Sequence, residues 1–262
     1  MWSYWRALAL VVPALFASLG CQGQLSPQAR QCLQDAYAAS AAGDNRAVIA
    51  DTDVFLHMDD RARRADEAYY LRGLARYGLG DRAGAQADLS EALGRTQMKE
   101  LRAKSAAALG DLAWDADEMQ TAERMYGLAL NNLQKDQKPA DHAHYRLGCV
   151  LQRLGRWEEA DDHFNKVVYF FSGSKLAERA GRRLNARDWT IQVAAFEGKS
   201  RAEAVVRELR DRNLPAVAQP IVAEGRLTFV VQVGHYPTYE QATASLGAVR
   251  QHKPDAYVIP TR

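Results

Sequence analysis

The chain has 262 residues, of which 47% are hydrophobic and 25% are charged, and its formal net charge is +2. This balance is ordinary for globular domains and excludes wholesale disorder, a multi-span membrane protein and a strongly basic nucleic-acid-binding surface. The three cysteines, Cys21, Cys32 and Cys149, are too few and too scattered for a disulfide scaffold or a four-ligand zinc site.

Residues 1–20 have the pattern of an export signal. One basic side chain, Arg6, precedes an uncharged stretch from Ala7 to Gly20 that ends in small residues. Such a stretch would span roughly 21 Å as a helix, which is short of the ~30 Å hydrocarbon core of a bilayer. The segment therefore predicts export and cleavage rather than a permanent membrane span.

Residues 17–21, Ala-Ser-Leu-Gly-Cys, resemble a bacterial lipobox. The resemblance implies that Cys21 is acylated and becomes the mature N-terminus, followed by a short tether over 21–27; ordinary cleavage is the alternative. Gln22, in place of Asp, favours the outer membrane by the same resemblance. We therefore expect an envelope lipoprotein, anchored in the membrane through Cys21 and facing the periplasm. In that oxidising compartment we expect Cys32 and Cys149 to be two buried thiols, with a disulfide between them as the alternative.

A pattern of small and large residues repeats through the middle of the chain. Gly73, Gly110 and Gly148 lie 37 and 38 residues apart, and each is followed at matching distances by an alanine and a large residue, Leu89, Tyr126 or Phe164. A glycine costs about 1 kcal/mol relative to alanine in an exposed helix interior, so three in one register indicate close helix packing.

This pattern resembles the tetratricopeptide repeat (TPR). The resemblance implies antiparallel helix pairs in which the small residues let two helices approach while the large residue fills the gap between them. We expect an all-α array over 28–186, with a degenerate first pair over Pro27–Phe55 and a capping helix over 174–185, because the ends of such arrays are atypical.

The same resemblance implies that the first helix of each pair lines a concave groove. Aromatic side chains among polar groups suit a segment of a partner protein. The alternative is that Tyr70, Trp114 and Tyr145 only pack against the adjacent helix. The candidate groove residues are Tyr70, Leu74, Tyr77, Lys104, Asp111, Trp114, His142, Tyr145, Gln152 and Arg153.

After residue 187 the pattern changes to β-branched runs separated by helical stretches. Residues 191–196 are echoed forty positions later by 231–236. The periodicity predicts strands over 189–196, 216–223, 227–234 and 256–260, and helices over 200–212 and 239–251. The fold class is therefore multidomain, with the helical array followed by a small α+β domain of order βαββαβ, whose open sheet has both helices on one face.

The paired runs Ile191-Gln192-Val193 and Val231-Gln232-Val233, each followed by an aromatic residue and a helix, resemble the SPOR (sporulation-related repeat) domain over 187–262. The resemblance implies binding to peptidoglycan, in particular to glycan strands stripped of their stem peptides, which accumulate where the septal wall is split.

Alternation along the first strand predicts that Thr190, Gln192 and Ala194 lie on the uncovered face of the sheet. A glutamine amide there can both donate to and accept from the acetamido and hydroxyl groups of an amino sugar. The alternative is that these amides are satisfied within the fold. The candidate peptidoglycan-binding residues are Thr190, Gln192, Phe196, Arg226, Thr228, Gln232 and Tyr236.

Catalysis has little support in the sequence. His142 and His144 are two residues apart on a predicted helix and therefore point in different directions, with no third metal ligand in register. Residues 172–175, Ser-Gly-Ser-Lys, lack the spacing of a phosphate-binding loop and indicate a turn and helix N-cap. We expect no enzyme activity, no cofactor and no bound metal.

The sequence thus predicts a non-enzymatic envelope lipoprotein that binds peptidoglycan through its C-terminal sheet and an unidentified envelope protein through its array, during cell division or wall remodelling. The alternative is a scaffold for an envelope protein-assembly complex, in which the C-terminal domain is a passive wall tether. A third hypothesis is an activator of a wall hydrolase.

Overall fold

The structure is a computed structural model that describes residues 25–58, 64–134, 136–223 and 225–261. The predicted export signal and Cys21 lie outside these residues. Within them, no helix combines the length and apolar character needed to cross a bilayer.

The first part of the described chain is a succession of antiparallel helices, each packed against the next. Their boundaries follow capping residues, because Ser26, Asp81 and Ser174 accept hydrogen bonds from backbone amides of the first turns that follow them. Ser174 thus confirms the predicted turn and N-cap. The helices are α1 (Pro27–Ala42), α2 (Asn45–Met58), α3 (Ala65–Gly78), α4 (Arg82–Arg95), α5 (Lys99–Asp115), α6 (Met119–Leu130), α7 (Ala140–Arg153), α8 (Trp157–Phe170) and α9 (Lys175–Arg183).

The repeated glycines are packing sites, as predicted. A Cβ placed on Gly110 would lie 2.7 Å from the Tyr126 ring, and one on Gly148 would lie 2.6 Å from the Phe164 ring. The equivalent Cβ on Gly73 would lie 2.8 Å from Leu89 Cγ. Each glycine therefore lets a fully buried large side chain of the second helix rest directly on the backbone of the first.

The second part is an antiparallel sheet with the strand order β2-β3-β1-β4. Its elements agree with the predicted ones to within two residues at each end. They are β1 (Asp188–Phe196), α10 (Lys199–Arg210), β2 (Ala216–Ala223), β3 (Arg226–Tyr236), α11 (Tyr239–Arg250) and β4 (Tyr257–Thr261). Both helices pack on one face of the sheet, over a core that contains Ile191, Val231 and Val233.

A β-bulge in β1 contradicts the predicted position of Ala194. Gln192 pairs with Gln232, but Ala194 pairs with Val231, so β1 has one extra residue between these two pairs. The extra residue shifts the alternation, and Ala194 packs against the helix-side core instead of lying on the open face. Ala195 is the exposed residue at this point of β1.

A second irregularity lies in β3 at Gly234. Its φ of +70° is in the left-handed region, and a Cβ there would lie 2.5 Å from the ring of Tyr236. Glycine is therefore required where the strand bends past the pairing between Trp189 and Tyr236.

Cys32 and Cys149 are free thiols in the structure. Cys149 is buried among the side chains of the last repeat, whereas Cys32 on α1 is only partly buried. The expectation of two buried thiols is therefore right for Cys149 and only partly right for Cys32.

Candidate binding surfaces

Part of the predicted groove forms a cavity of about 390 Å³. Four of the ten candidate groove residues line it, namely Tyr70 and Leu74 on α3 and Lys104 and Asp111 on α5. Burial raises the pKa of Tyr70 to about 12, with a smaller contribution from the Glu100 carboxylate. The cavity thus has an apolar wall, a phenol and charged groups of both signs.

Asp111 and His142 are held by the array itself. The Asp111 carboxylate accepts a hydrogen bond from Tyr126 Oη at 2.7 Å and lies 3.0 Å from His142 Nε2 and 3.3 Å from Arg146 Nε. Burial alone would raise the pKa of Asp111, but these partners outweigh burial and hold the pKa below its usual value. Asp111 therefore orders the wall of the groove as well as lining it.

Two further groove candidates have partners within the fold. Tyr77 Oη donates to Asp115 Oδ2 at 2.8 Å, and the Tyr145 ring packs against Phe164 at a centroid distance of 5.9 Å. For Tyr145 the alternative interpretation, packing against the neighbouring helix, describes the structure better.

Gln152 is not available to a partner, so this candidate is wrong. Its side chain is fully buried. Its Nε2 donates to the Arg183 carbonyl at 3.0 Å, and its Oε1 accepts from Arg183 Nη1 at 2.5 Å. The amide therefore joins α7 to the capping helix α9.

Arg153 contacts the sheet domain, and Trp114 packs against Arg153. The Arg153 guanidinium lies 4.3 Å from the centre of the Trp114 ring system and 4.1 Å from the centre of the Tyr239 ring on α11. Both remain on a cavity of about 640 Å³ between the two parts of the chain. The sequence analysis had no signal for this contact, because α7 and α11 are far apart along the chain.

On the sheet, a row of four side chains, three of them polar, crosses the face opposite the helices. The strand register aligns Val217 on β2, Gln232 on β3, Gln192 on β1 and Tyr257 on β4. At about 4.8 Å between strands, the row is roughly 14 Å long. Gln192 Nε2 donates to Tyr257 Oη at 2.7 Å, which leaves the phenol hydrogen free to donate. Tyr257 was missed in the sequence analysis, although alternation along β4 could have placed it beside Gln192.

Gln232 stands out within this row. The residue is only 8% exposed, and its Oε1 is buried with no hydrogen-bond donor among the residues that the structure describes. An unsatisfied buried acceptor costs about 1–3 kcal/mol. Gln232 Oε1 is therefore an unsatisfied acceptor just beneath the open face, and a donor from a ligand reaches it only if the side chains around it move.

Three other sheet candidates are not exposed on this surface. Thr190 is fully buried, and its hydroxyl donates to the Gly234 carbonyl at 2.7 Å. Phe196 and Tyr236 pack against the helix-side core. The prediction that Thr190 is accessible on the uncovered face is wrong, because its side chain is buried. The two irregularities in the pairing of β1 with β3 shift the alternation, so Phe196 and Tyr236 lie on the helix side of the sheet.

Arg226 and Thr228 lie at the far end of β3. Arg226 is exposed and pairs with Glu197 at 3.2 Å. It lies six positions from Gln232, which corresponds to roughly 20 Å along a strand. Thr228 lies on the same open face as Gln232 by alternation. Arg226 and Thr228 are therefore displaced from the row along β3 and do not belong to its centre.

His142 and His144, two positions apart on α7, have different partners, as their spacing predicted. His142 contacts Asp111, whereas His144 Nδ1 lies 2.8 Å from His163 Nδ1 on α8. Among the described residues there is no group of three or more side chains arranged to hold a metal ion.

Comparison with protein-family models finds a SPOR domain over residues 185–260 and a tetratricopeptide repeat over residues 142–174. The search against curated proteins finds no match.

Solved structures resemble the helical array. A tetratricopeptide repeat protein from Parabacteroides merdae superposes with a TM-score of 0.51 at 14% identity, covering 71% of this chain and 66% of its own. A MamA RS-1 double mutant superposes with a TM-score of 0.50 at 15% identity, covering 61% and 85%. At these identities the likeness concerns the fold alone. The chain therefore consists of a TPR-like helical array followed by a C-terminal SPOR domain.

Proposed function

We propose that this protein is a cell-envelope lipoprotein that binds peptidoglycan glycan strands through the row Gln232–Gln192–Tyr257 and a partner protein through the array groove. SPOR domains indicate peptidoglycan binding and TPR repeats indicate protein–protein interaction. Both are binding or scaffold modules. The finer assignments, to septal strands without stem peptides and to a membrane anchor on Cys21, are part of the proposal.

The observation that carries the glycan assignment is the aligned row of Gln232, Gln192 and Tyr257, in which Gln192 donates to Tyr257 and Gln232 Oε1 has no donor within the described part of the chain. An amino-sugar chain offers acetamido N–H and hydroxyl donors along its length, while its carbonyl oxygens can accept from the Tyr257 hydroxyl. Stem peptides would obstruct the approach of a glycan strand to a flat sheet, which supports a preference for stripped strands.

The test is co-sedimentation of the chain from residue 25 onward with purified sacculi, before and after an amidase removes the stem peptides. Every contact described above joins residues from 25 on, so this truncation removes none of them. We expect more protein in the pellet after stripping. Equal absence from both pellets would contradict the proposal.

Gln232→Leu provides the sharpest variant. It removes the unsatisfied acceptor, so we expect the free energy of unfolding to remain within about 1 kcal/mol of wild type, while glycan binding weakens by about tenfold. Gln241→Leu, an exposed residue on α11, is the matched control and should bind as wild type does. Undiminished binding of Gln232→Leu would move the site away from this face.

The anchor is tested separately. Cys21→Ser should abolish incorporation of labelled fatty acid and release the protein from the membrane fraction. Incorporation that persists in this variant would contradict acylation at Cys21.

The scaffold hypothesis is the second candidate, and the groove cavity favours it. Lys104 is partly exposed at that cavity, and among the described residues its ion pair is with Glu100 of its own helix at 2.7 Å. If the Lys104→Glu protein still binds sacculi but no longer supports the protein's function in cells, partner binding by the array is the essential activity. If only Gln232→Leu removes that function, glycan binding is the essential activity.

A further inference from the structure

A continuous stack of five side chains joins the helical array to the SPOR domain. The stack runs from the array into the SPOR domain and back to the array. In that order its members are Trp114 on α5, Arg153 on α7, Tyr239 on α11, Trp189 on β1 and Trp157 on α8.

Arg153 and Tyr239 form the centre of this stack. The guanidinium lies between the Trp114 and Tyr239 rings, and it also donates to Asp117 Oδ1 at 2.6 Å and to Tyr239 Oη at 2.9 Å. Its side chain is only 19% exposed. A guanidinium enclosed between two aromatic faces is held more strongly than one at an open surface, because less water competes for it.

Trp189 extends the contact to a second helix of the array. Its ring centre lies 4.9 Å from that of Tyr239 and 5.5 Å from that of Trp157, in edge-on and tilted arrangements that aromatic pairs favour. Trp189 is 3% exposed, although it lies near the start of the first strand. Trp157 of the array therefore covers part of the Trp189 side chain and excludes solvent from it.

Asp161 on α8 supplies a separate polar connection. It accepts from the Asn185 backbone amide at 2.9 Å and from Arg187 Nη1 at 2.8 Å, both in the short link between α9 and β1. Because the contacts involve α5, α7 and α8 together, they restrict rotation of the SPOR domain as well as its distance from the array.

Trp114 and Arg153 belong to the groove register of their helices, so Tyr239 sits at one end of the partner groove. We propose that Tyr239 is an intramolecular occupant of that end, which latches the SPOR domain to the array as one rigid unit. A partner protein then reaches only the cavity around Tyr70 and Lys104, unless it presents an aromatic side chain that displaces Tyr239. Displacement frees the SPOR domain to reorient. This inference does not depend on the glycan site.

The natural probe is tryptophan, because Trp114, Trp157 and Trp189 are the only tryptophans after residue 24 in the sequence, and all three belong to the stack. The experiment measures iodide quenching of their emission and the radius of gyration from small-angle scattering, using the chain from residue 25 onward. Tyr239→Ala should increase both quenching and radius of gyration. Tyr239→Phe keeps the ring and should change neither beyond a small effect of the lost hydroxyl.

Tyr169→Ala is the control, since Tyr169 is exposed at the end of α8 and outside the stack. If Tyr239→Ala proves unstable, Arg153→Lys removes the planar group while retaining the charge and should give the same increases. The latch is contradicted if the folded Tyr239→Ala or Arg153→Lys chain has the quenching and the radius of gyration of the Tyr169→Ala chain.

Discussion

At the scale of single residues, Gln192 and Gln232 show how similar amides acquire different roles from their surroundings. Gln192 is partly exposed and bonded to Tyr257, whereas Gln232 is buried with an unsatisfied oxygen. The fold tolerates that cost at the centre of a surface otherwise open to a ligand, as binding sites often do.

The contact between His144 and His163 is a second residue-scale feature with a measurable consequence. Burial, with the neighbouring His163 and Lys166 charges, lowers the pKa of His144 from 6.5 to about 4; burial and Lys166, despite the opposing Glu159 carboxylate, do the same for His163. Both imidazoles are therefore neutral in the folded chain at neutral pH.

We expect acid to destabilise the array through this pair. As pH falls below 6.5, the unfolded histidines take up protons that the folded pair does not bind until about pH 4, so the free energy of unfolding decreases through this window. Thermal unfolding between pH 7 and 5 should show a smaller loss of stability in the His144→Leu, His163→Leu double variant than in wild type. Equal losses would contradict the assignment.

At the scale of helices and strands, close packing at the repeated glycines determines the geometry of the array. Gly110 and Gly127 provide a matched pair on adjoining helices. A Cβ on Gly110 would lie 2.7 Å from the Tyr126 ring, whereas one on Gly127 meets nothing within 4 Å.

Gly110→Ala should therefore destabilise the chain by about 1–3 kcal/mol, because the ring must move out of its packed position. Gly127→Ala should stabilise it by about 0.5–1 kcal/mol through helix propensity alone. Chemical denaturation of both variants measures the difference. Similar stabilities would show that the Gly110 register is not a packing constraint.

The same elements show what could be predicted from the sequence. The glycine register and the duplicated Ile/Val-Gln-Val runs identify the helix pairs and the strands, because each is a local and periodic signal. The orientation of Ala194 could not be predicted, since a bulge leaves the residue pattern unchanged while it reverses the face. The burial of Gln152 could not be predicted either, because it depends on a contact with α9.

At the scale of the whole molecule, the contact between Arg153 and Tyr239 joins residues 86 positions apart. No periodicity reports such a pair, which is why the sequence analysis placed Arg153 in an open groove. The stack couples the stability of the two parts, because Trp189 of the SPOR domain packs against Trp157 of the array.

Thermal unfolding should reflect this coupling. We expect the wild-type chain to unfold in one calorimetric transition, and Tyr239→Ala to separate it into two, with the SPOR domain melting first because Trp189 loses a packing partner. A single unchanged transition in Tyr239→Ala would show that the stack contributes little to cooperativity.

We expect the open face of the SPOR sheet to bind glycan through Gln192, Gln232 and Tyr257. The most direct measurement of this binding is an NMR titration of the chain from residue 25 onward with glycan strands, released by a muramidase from sacculi already stripped of stem peptides. If glycan binds there, the side-chain amide signals of Gln192 and Gln232 shift together, along with backbone signals of β1, β3 and β4. Shifts confined to the array groove or the cavity beside Tyr239, with both glutamine signals unmoved, would contradict it.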